Sequence, residues 1–355
     1  MFQTNKNTIS VFGSEWFGMS IATLALAEVY ILAYQQDGFV PFFYLGNGLM
    51  ALGIILFFVI LVLWSTRGIL IHDKIHGHWD NLTRLSFISL IPIIGFISNS
   101  QLIYFYGLSS FSASFSLLNY LVEYSLALIL GVILGYRLYT KEINLKEINY
   151  AVVIPPLAIG TGVFLGSDLI GFYGGGTGSV IYYLTIIGLG IFFFLYIFIG
   201  SLALSGHVTN KVHETLPTTM LPVGIASLIV INILSIVSFN KLHIFQFSPS
   251  TAGFVSLMLW GFEIWNFLVV TIIIFTRPPR GSMSSWAYGF PLGLFAISTV
   301  RMISITNEHG LIWVFTAIAV ALNTVWIYAW LNTIIFMMDR KRKLREIDEN
   351  TKTSS

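Results

Sequence analysis

Five times along this chain a hydrophobic span is broken by proline, glycine or both, and between successive broken spans lies an apolar span without proline. The breaks are Phe17-Gly18-Met19-Ser20, Pro92-Ile93-Ile94-Gly95, Pro155-Pro156 through Gly160, Pro222-Val223-Gly224 and Phe290-Pro291-Leu292-Gly293. An interior proline removes a helical hydrogen bond and clashes with the preceding turn, so a lipid-facing helix gains nothing from it. In a membrane such a break is tolerated where neighbouring protein or a water-filled cavity satisfies the freed carbonyls. The rhythm predicts five helices bent near their middles around an axis, with five straight helices outside them. Glycine and proline also serve plain helix packing, and both are commoner in membrane helices than in soluble ones. Their recurrence in alternate spans favours the pore plan.

Composition fits a membrane solvent. Apolar residues make up 56% of the 355-residue chain and charged residues only 10%. Runs of about 20 apolar residues, the length that crosses the hydrocarbon core, predict spans near 15–34, 42–65, 85–107, 112–135, 150–171, 178–203, 217–239, 252–276, 285–305 and 310–337. The expected fold is therefore an all-α integral membrane protein of ten transmembrane helices, arranged as five helical hairpins with quasi-fivefold symmetry about a central pore. Residues 1–14 form a polar N-terminal segment without the features of a signal peptide, 15–337 the pore domain, and 338–355 a basic tail. The connection from Tyr106 to Phe111 reads as the tightest. There are no cysteines, which excludes disulfides and thiol chemistry.

Basic residues orient the chain. Lys6, Arg67, Lys74, Arg84, Arg137, Lys141, Lys146, Lys211, Arg277 and Arg280 fall on one side of the ten-span arrangement, with Arg340, Lys341, Arg342, Lys343, Arg345 and Lys352 of the tail. Only Lys241 and Arg301 fall on or near the other. The positive-inside rule then places both termini in the cytoplasm. Every broken span is odd-numbered, so all five run outward. Their outer halves present helix N-termini, with partly unpaired N–H groups and partial positive charge, which favour an anion without any charged side chain.

Ionisable residues inside apolar spans are costly and mark function or pairing. Glu28, in an odd span, is a candidate protonatable site for coupled transport. Glu123 and Glu263, in even spans, are expected in contacts between helices or subunits. Arg301 either attracts anions or pairs with a glutamate. Ser20, Thr23, Ser98, Asn99, Thr161, Ser227 and Ser298 line the path or bond back to their own helices.

The stretch Ser285-Trp286-Ala287-Tyr288-Gly289-Phe290-Pro291-Leu292-Gly293, continuing through Ala296, Ser298, Thr299 and Arg301, resembles the ninth helix of the tellurite-resistance/dicarboxylate transporter family. That family includes the plant slow anion channels, yeast malic-acid permeases and fungal sulfite efflux proteins. Trp16-Phe17-Gly18, Pro155-Pro156 and Leu216-Pro217 through Gly224 are similar too, whereas Ser285 stands where many relatives carry tryptophan. The resemblance implies a ten-helix fold with the odd helices around the pore, usually a homotrimer with one pore per subunit. It implies that Phe290 plugs the pore, a hydrophobic gate. The transported species is then a small anion, with proton-coupled carriage of a C4-dicarboxylate such as malate, or of sulfite, as the alternative, in a multi-pass protein of the plasma membrane.

Enzymatic readings are thin. His72, Asp73, His76, His78 and Asp80 cluster in one loop at spacings that can ligate a metal, the basis of a membrane metalloenzyme alternative. A solvated, pH-sensitive loop explains them more simply. Tyr173-Gly174-Gly175-Gly176-Thr177-Gly178 lacks the strand and lysine of a nucleotide-binding loop and reads as a flexible turn. Asn81-Leu82-Thr83 matches a glycosylation triplet on the wrong side of the membrane. No cofactor, metal or nucleic-acid partner is expected.

Overall fold

The computed structural model describes residues 11–70, 81–142, 148–209, 213–239, 242, 244, 247–279 and 281–353. The histidine and aspartate cluster at 72–80 lies outside the described residues, as do Lys6, Lys74, Lys146, Lys211, Lys241 and Arg280. Among the described residues ten helices have the length and apolarity to cross a membrane: Ser14–Asp37, Val40–Leu70, Leu82–Tyr106, Ser110–Thr140, Tyr150–Tyr173, Gly175–His207, Leu216–Ser238, Pro249–Thr276, Met283–Thr306 and Leu311–Arg342. The described residues contain no strand.

Odd and even spans differ in surroundings. Between 56 and 83% of the central residues of each odd span are buried, against 17–33% in each even span. The odd spans form a closed inner ring: first against third, third against fifth, fifth against seventh, seventh against ninth, and ninth back against the first. Each even span packs outside its own hairpin partner and against the next odd span. Its outward face is apolar and exposed, as at Phe111, Phe198, Trp265 and Trp313, which suits lipid. At 1.5 Å per residue the 31-residue second and fourth spans are about 46 Å long, more than the hydrocarbon core requires.

The breaks of the first and fifth spans, at Phe17–Ser20 and Pro155-Pro156, sit near their beginnings, whereas those of the third, seventh and ninth lie nearer the middle. The first, fifth, seventh and ninth spans open with a short 3-10 helix (Ser14–Trp16, Tyr150–Val153, His213–Met220 and Met283–Tyr288) that passes into an α-helix at Phe17, Ile154, Leu221 and Gly289. The third opens with α-helix Leu82–Ile88 and restarts at Leu90. Pro92, Pro155, Pro156, Pro222 and Pro291 all fall in the first turn of the segment that follows. There the missing N–H removes no helical hydrogen bond, because the first turn has no acceptor within its own helix. Only the fifth span has a second interruption, at Thr161-Gly162 between Ile154–Gly160 and Val163–Tyr173.

The turns at the far ends of the hairpins share one device. Gly38, Gly107, Gly174 and Asn307 each adopt positive φ (71°, 77°, 55° and 56°) and end the first, second, third and fifth hairpins' inner helices. Glycine takes such angles without steric cost, and asparagine tolerates them. The Tyr173–Gly178 stretch is thus no extended flexible turn: Gly174 alone makes it, and the sixth span begins at Gly175. That connection is tighter than the one from Tyr106 to Phe111.

Candidate functional site

Inside the ring, the ends where odd spans begin enclose a cavity of about 480 Å³. All five inner helices contribute their first turns to it, through Gly18, Leu90, Ile154, Leu221 and the pair Phe290 and Pro291. Its mouth is polar, with Glu15, Thr83, Arg84, Thr218 and Ser282 among the lining. The N–H groups at these helix starts are less free than bent helices would leave them. Those of Phe17, Ile154 and Gly289 donate to carbonyls of the preceding 3-10 turns. What faces the cavity is the summed dipole of five parallel helices.

Phe290 is among the residues that line this cavity. The same side chain lines a second, enclosed pocket of only about 10 Å³ on its other side, with Ala25, Glu28, Ile97, Ser100, Phe164, Gly293, Leu294 and Ile297. That is scarcely the room one water needs, and the walls nearest the ring are apolar. Phe290 is 4% exposed. Beside Phe290 the space thus narrows to a constriction, from about 480 Å³ in one pocket to about 10 Å³ in the other.

Beyond the constriction the inner helices become charged. Along the ninth span Phe290, Leu294, Ile297 and Arg301 follow three- and four-residue steps and so share one helix face. The same step carries Ala25 to Glu28 on the first span, Ile97 to Ser100 on the third, and Phe164 to Asp168 on the fifth. Ser100 Oγ donates to Asp168 Oδ2 at 2.6 Å. Gln101 Nε2 donates to Glu28 Oε2 at 3.0 Å and to the Leu24 carbonyl at 2.9 Å. Glu28, Asp168 and Arg301 lie within electrostatic reach of one another. Asp168 escapes the sequence reading although its signal is plain, an acidic residue within an apolar run of an inner span. Its partnership with Ser100 requires knowing which spans are neighbours.

The neutral polar residues of the odd spans mostly turn away from the axis. Ser20 donates to the Gly53 carbonyl of the second span at 2.8 Å, and Trp326 of the tenth span donates to Thr23 at 3.1 Å. Ser116 of the fourth span donates to Asn99 at 2.9 Å. Thr161 and Ser98 bond to carbonyls of their own spans. Ser227 and Ser298 both reach Glu263 Oε2, at 2.8 and 2.6 Å, so that wholly buried residue ties the eighth span to the seventh and ninth. Glu123 fills the space beside Gly95, where a Cβ would meet its carboxylate at 2.4 Å.

The remaining break residues serve close packing. Phe17 is fully buried against Phe57 and Trp64 of the second span. A Cβ would meet Trp286 Cβ at 3.0 Å from Gly18, Phe192 at 2.7 Å from Gly160, Pro291 Cα at 2.9 Å from Gly224 and Ala25 Cβ at 2.6 Å from Gly293. These contacts draw the spans concerned into close approach.

The family model described as voltage-dependent anion channel matches residues 11–334. Among curated proteins, two uncharacterized transporters of Methanocaldococcus jannaschii are similar. One is 23% identical over 304 residues, covering 84% of this chain and 85% of its own length. The other is 22% identical over 306 residues, covering 83% and 85% respectively.

Proposed function

The chain belongs to the voltage-dependent anion channel family, and from that membership we propose that it passes small anions along the axis of its inner ring, with Phe290 as the gate. The observation that supports the reading is that the Phe290 ring lines two cavities, one of about 480 Å³ and the other nearly without volume at about 10 Å³. An anion gathered in the vestibule meets five helix N-termini and Arg84, then an apolar neck that it enters only when Phe290 swings aside. The neck offers no tight site at that depth, which suits passage rather than binding. Both termini lie in the cytoplasm of a plasma-membrane protein, a reading supported by the sixteen basic residues on one side. Three copies associate, each with its own path; the family resemblance supports this.

The test is current recording from purified protein in bilayers with chloride, nitrate, sulfite and malate in turn. Wild-type protein gives small anion currents and Phe290→Ala larger ones, with expression retained. Currents at the wild-type level in well-expressed Phe290→Ala rule out the gate, and cation-selective currents rule out the anion path. A proton-coupled carrier of dicarboxylate or sulfite is the second reading, favoured by the half-buried carboxylates Glu28 and Asp168 on the inner spans. Transport to a gradient, driven by an imposed pH difference, distinguishes the carrier from the channel.

A further inference from the structure

Four of the five inner spans place a charged or hydrogen-bonding side chain at or just past the small pocket beside Phe290: Glu28 and Ser100 line it, and Asp168 and Arg301 lie one helical turn beyond its Phe164 and Ile297. A path for anions gains nothing from two carboxylates there unless their charge changes during the cycle. With Glu28 and Asp168 ionised and Arg301 cationic, the group carries one net negative charge and repels an anion. One added proton brings it to zero, and a second leaves Arg301 in excess. The hydrogen bonds fit such a cycle. Each carboxylate accepts from a neutral donor, Gln101 Nε2 or Ser100 Oγ, rather than being locked to a cation. Among the described residues no hydrogen bond or contact ion pair occupies the Arg301 guanidinium, which feels Glu28 and Asp168 only through space. Gln101 is 1% exposed and its Oε1 has no partner, an acceptor free for the proton of a neutralised Glu28 beside it. The other titratable group facing Glu28 is Tyr104, one turn on along the third span from Gln101.

We propose that Arg301, with Glu28 and Asp168, forms an anion site on the far side of Phe290 that fills only when a proton has neutralised one of the two carboxylates. The ligand class is a small oxyanion or carboxylate, because a planar guanidinium pairs with two oxygens of such a group in parallel. The proton comes from the solution beyond the far ends of the helices and binds a carboxylate oxygen. The anion then takes the place that this carboxylate held in the field of Arg301, and no covalent bond changes. Release of both on the vestibule side completes cotransport; release of the anion alone makes the site a proton-operated outer gate. This rests on the proposed anion path and adds to it a site and a driving ion.

The experiment uses the full chain in liposomes, with nitrate as the probe and the pH varied outside the far ends. Wild-type flux rises on acidification from about pH 7.5 to about pH 5.5, approaching ten-fold per unit where one proton is required. Glu28→Gln and Asp168→Asn, which keep the oxygens that Gln101 and Ser100 bond, each flatten that response to under about two-fold. Glu28→Asp retains it. Arg301→Gln raises the half-saturating nitrate concentration by about ten-fold, as expected on losing a charge-assisted pair, and Arg301→Lys restores part of that loss. Superimposable pH profiles in wild type, Glu28→Gln and Asp168→Asn overturn the proposal, as does wild-type saturation in Arg301→Gln. Should the amide variants not fold, a wild-type flux independent of pH overturns it equally. Flux through Phe290→Ala separates the two failures: nitrate passing without any pH response removes this site alone, and no nitrate passing removes the anion path with it.

Discussion

Glu263 shows how a buried charge-bearing residue can be structural. It is wholly buried in the eighth span, and both of its donors have alternatives: Ser227 also reaches the Val223 carbonyl at 2.8 Å, and Ser298 the Phe295 carbonyl at 3.0 Å. Removing the carboxylate therefore orphans neither hydroxyl, and an apolar isostere avoids the cost of a buried polar group. Glu263→Met is expected to hold thermal stability in detergent within about 1 kcal/mol of wild type, a shift of a few degrees at most. A collapse of expression would reveal a further partner for its Oε1. Phe295, four residues before Thr299, is the matching apolar case. Its ring lies 5.7 Å from that of Phe267 in the eighth span, away from the axis. Phe295→Ala should cost about 3–5 kcal/mol of stability and leave conductance per folded molecule unchanged. Phe290 and Phe295 are indistinguishable by composition; only the family motif separated them, and the cavities on both sides of Phe290 support the distinction. Asp168 was visible in the sequence as an acidic residue of an inner span, but its pairing with Ser100 was not, because that depends on span adjacency.

At the scale of elements, the broken spans are built for close approach as much as for bending. Prolines in the first helical turns cost no hydrogen bond, so the sequence pattern marked a change of helix type where it suggested a mid-span bend. The pattern was still legible as inner versus outer, because a residue that breaks a helix needs neighbours. Span existence was legible too, whereas ends were not. The tenth span, read as 310–337, runs to Arg342, since helical geometry continues through polar residues that hydropathy excludes. Two glycines give a comparison. At Gly293 a Cβ would press on Ala25 Cβ at 2.6 Å and its Cα at 3.2 Å, whereas at Gly95 the nearest atoms are those of the Glu123 side chain, from Oε1 at 2.4 Å to Cγ at 2.9 Å, with no backbone among them. Gly293→Ala must part the first and ninth spans, at about 1–3 kcal/mol, and lower the melting temperature. Gly95→Ala should melt within a few degrees of wild type. Equal melting of the two would mean that the ring is not drawn tight at Gly293.

For the whole molecule, one hairpin repeated five times with constant orientation makes a ring whose helix dipoles all point the same way. On the proposed reading, that parallel arrangement is what would draw anions to the vestibule between Glu15 and Arg84. Its orientation is checked by reporter fusions: Asp37, Gly175 and Glu308 should report exterior, and Lys74, Glu142 and Arg280 interior. A swap at any of them would reverse the direction in which the vestibule faces.

The central claim is that ions travel through the inner ring past position 290, and the chain's lack of cysteine allows a direct trial. Ile297 lines the small pocket just beyond Phe290. In the Phe290→Ala background, Ile297→Cys places one thiol in the protein, and a small negatively charged methanethiosulfonate reagent is applied during current recording. The account predicts that anion current falls by about ten-fold as the reagent's fixed charge blocks the neck, while Phe290→Ala without the cysteine is unaffected. Unchanged current through a channel whose thiol is shown by mass to be fully modified would place the path elsewhere.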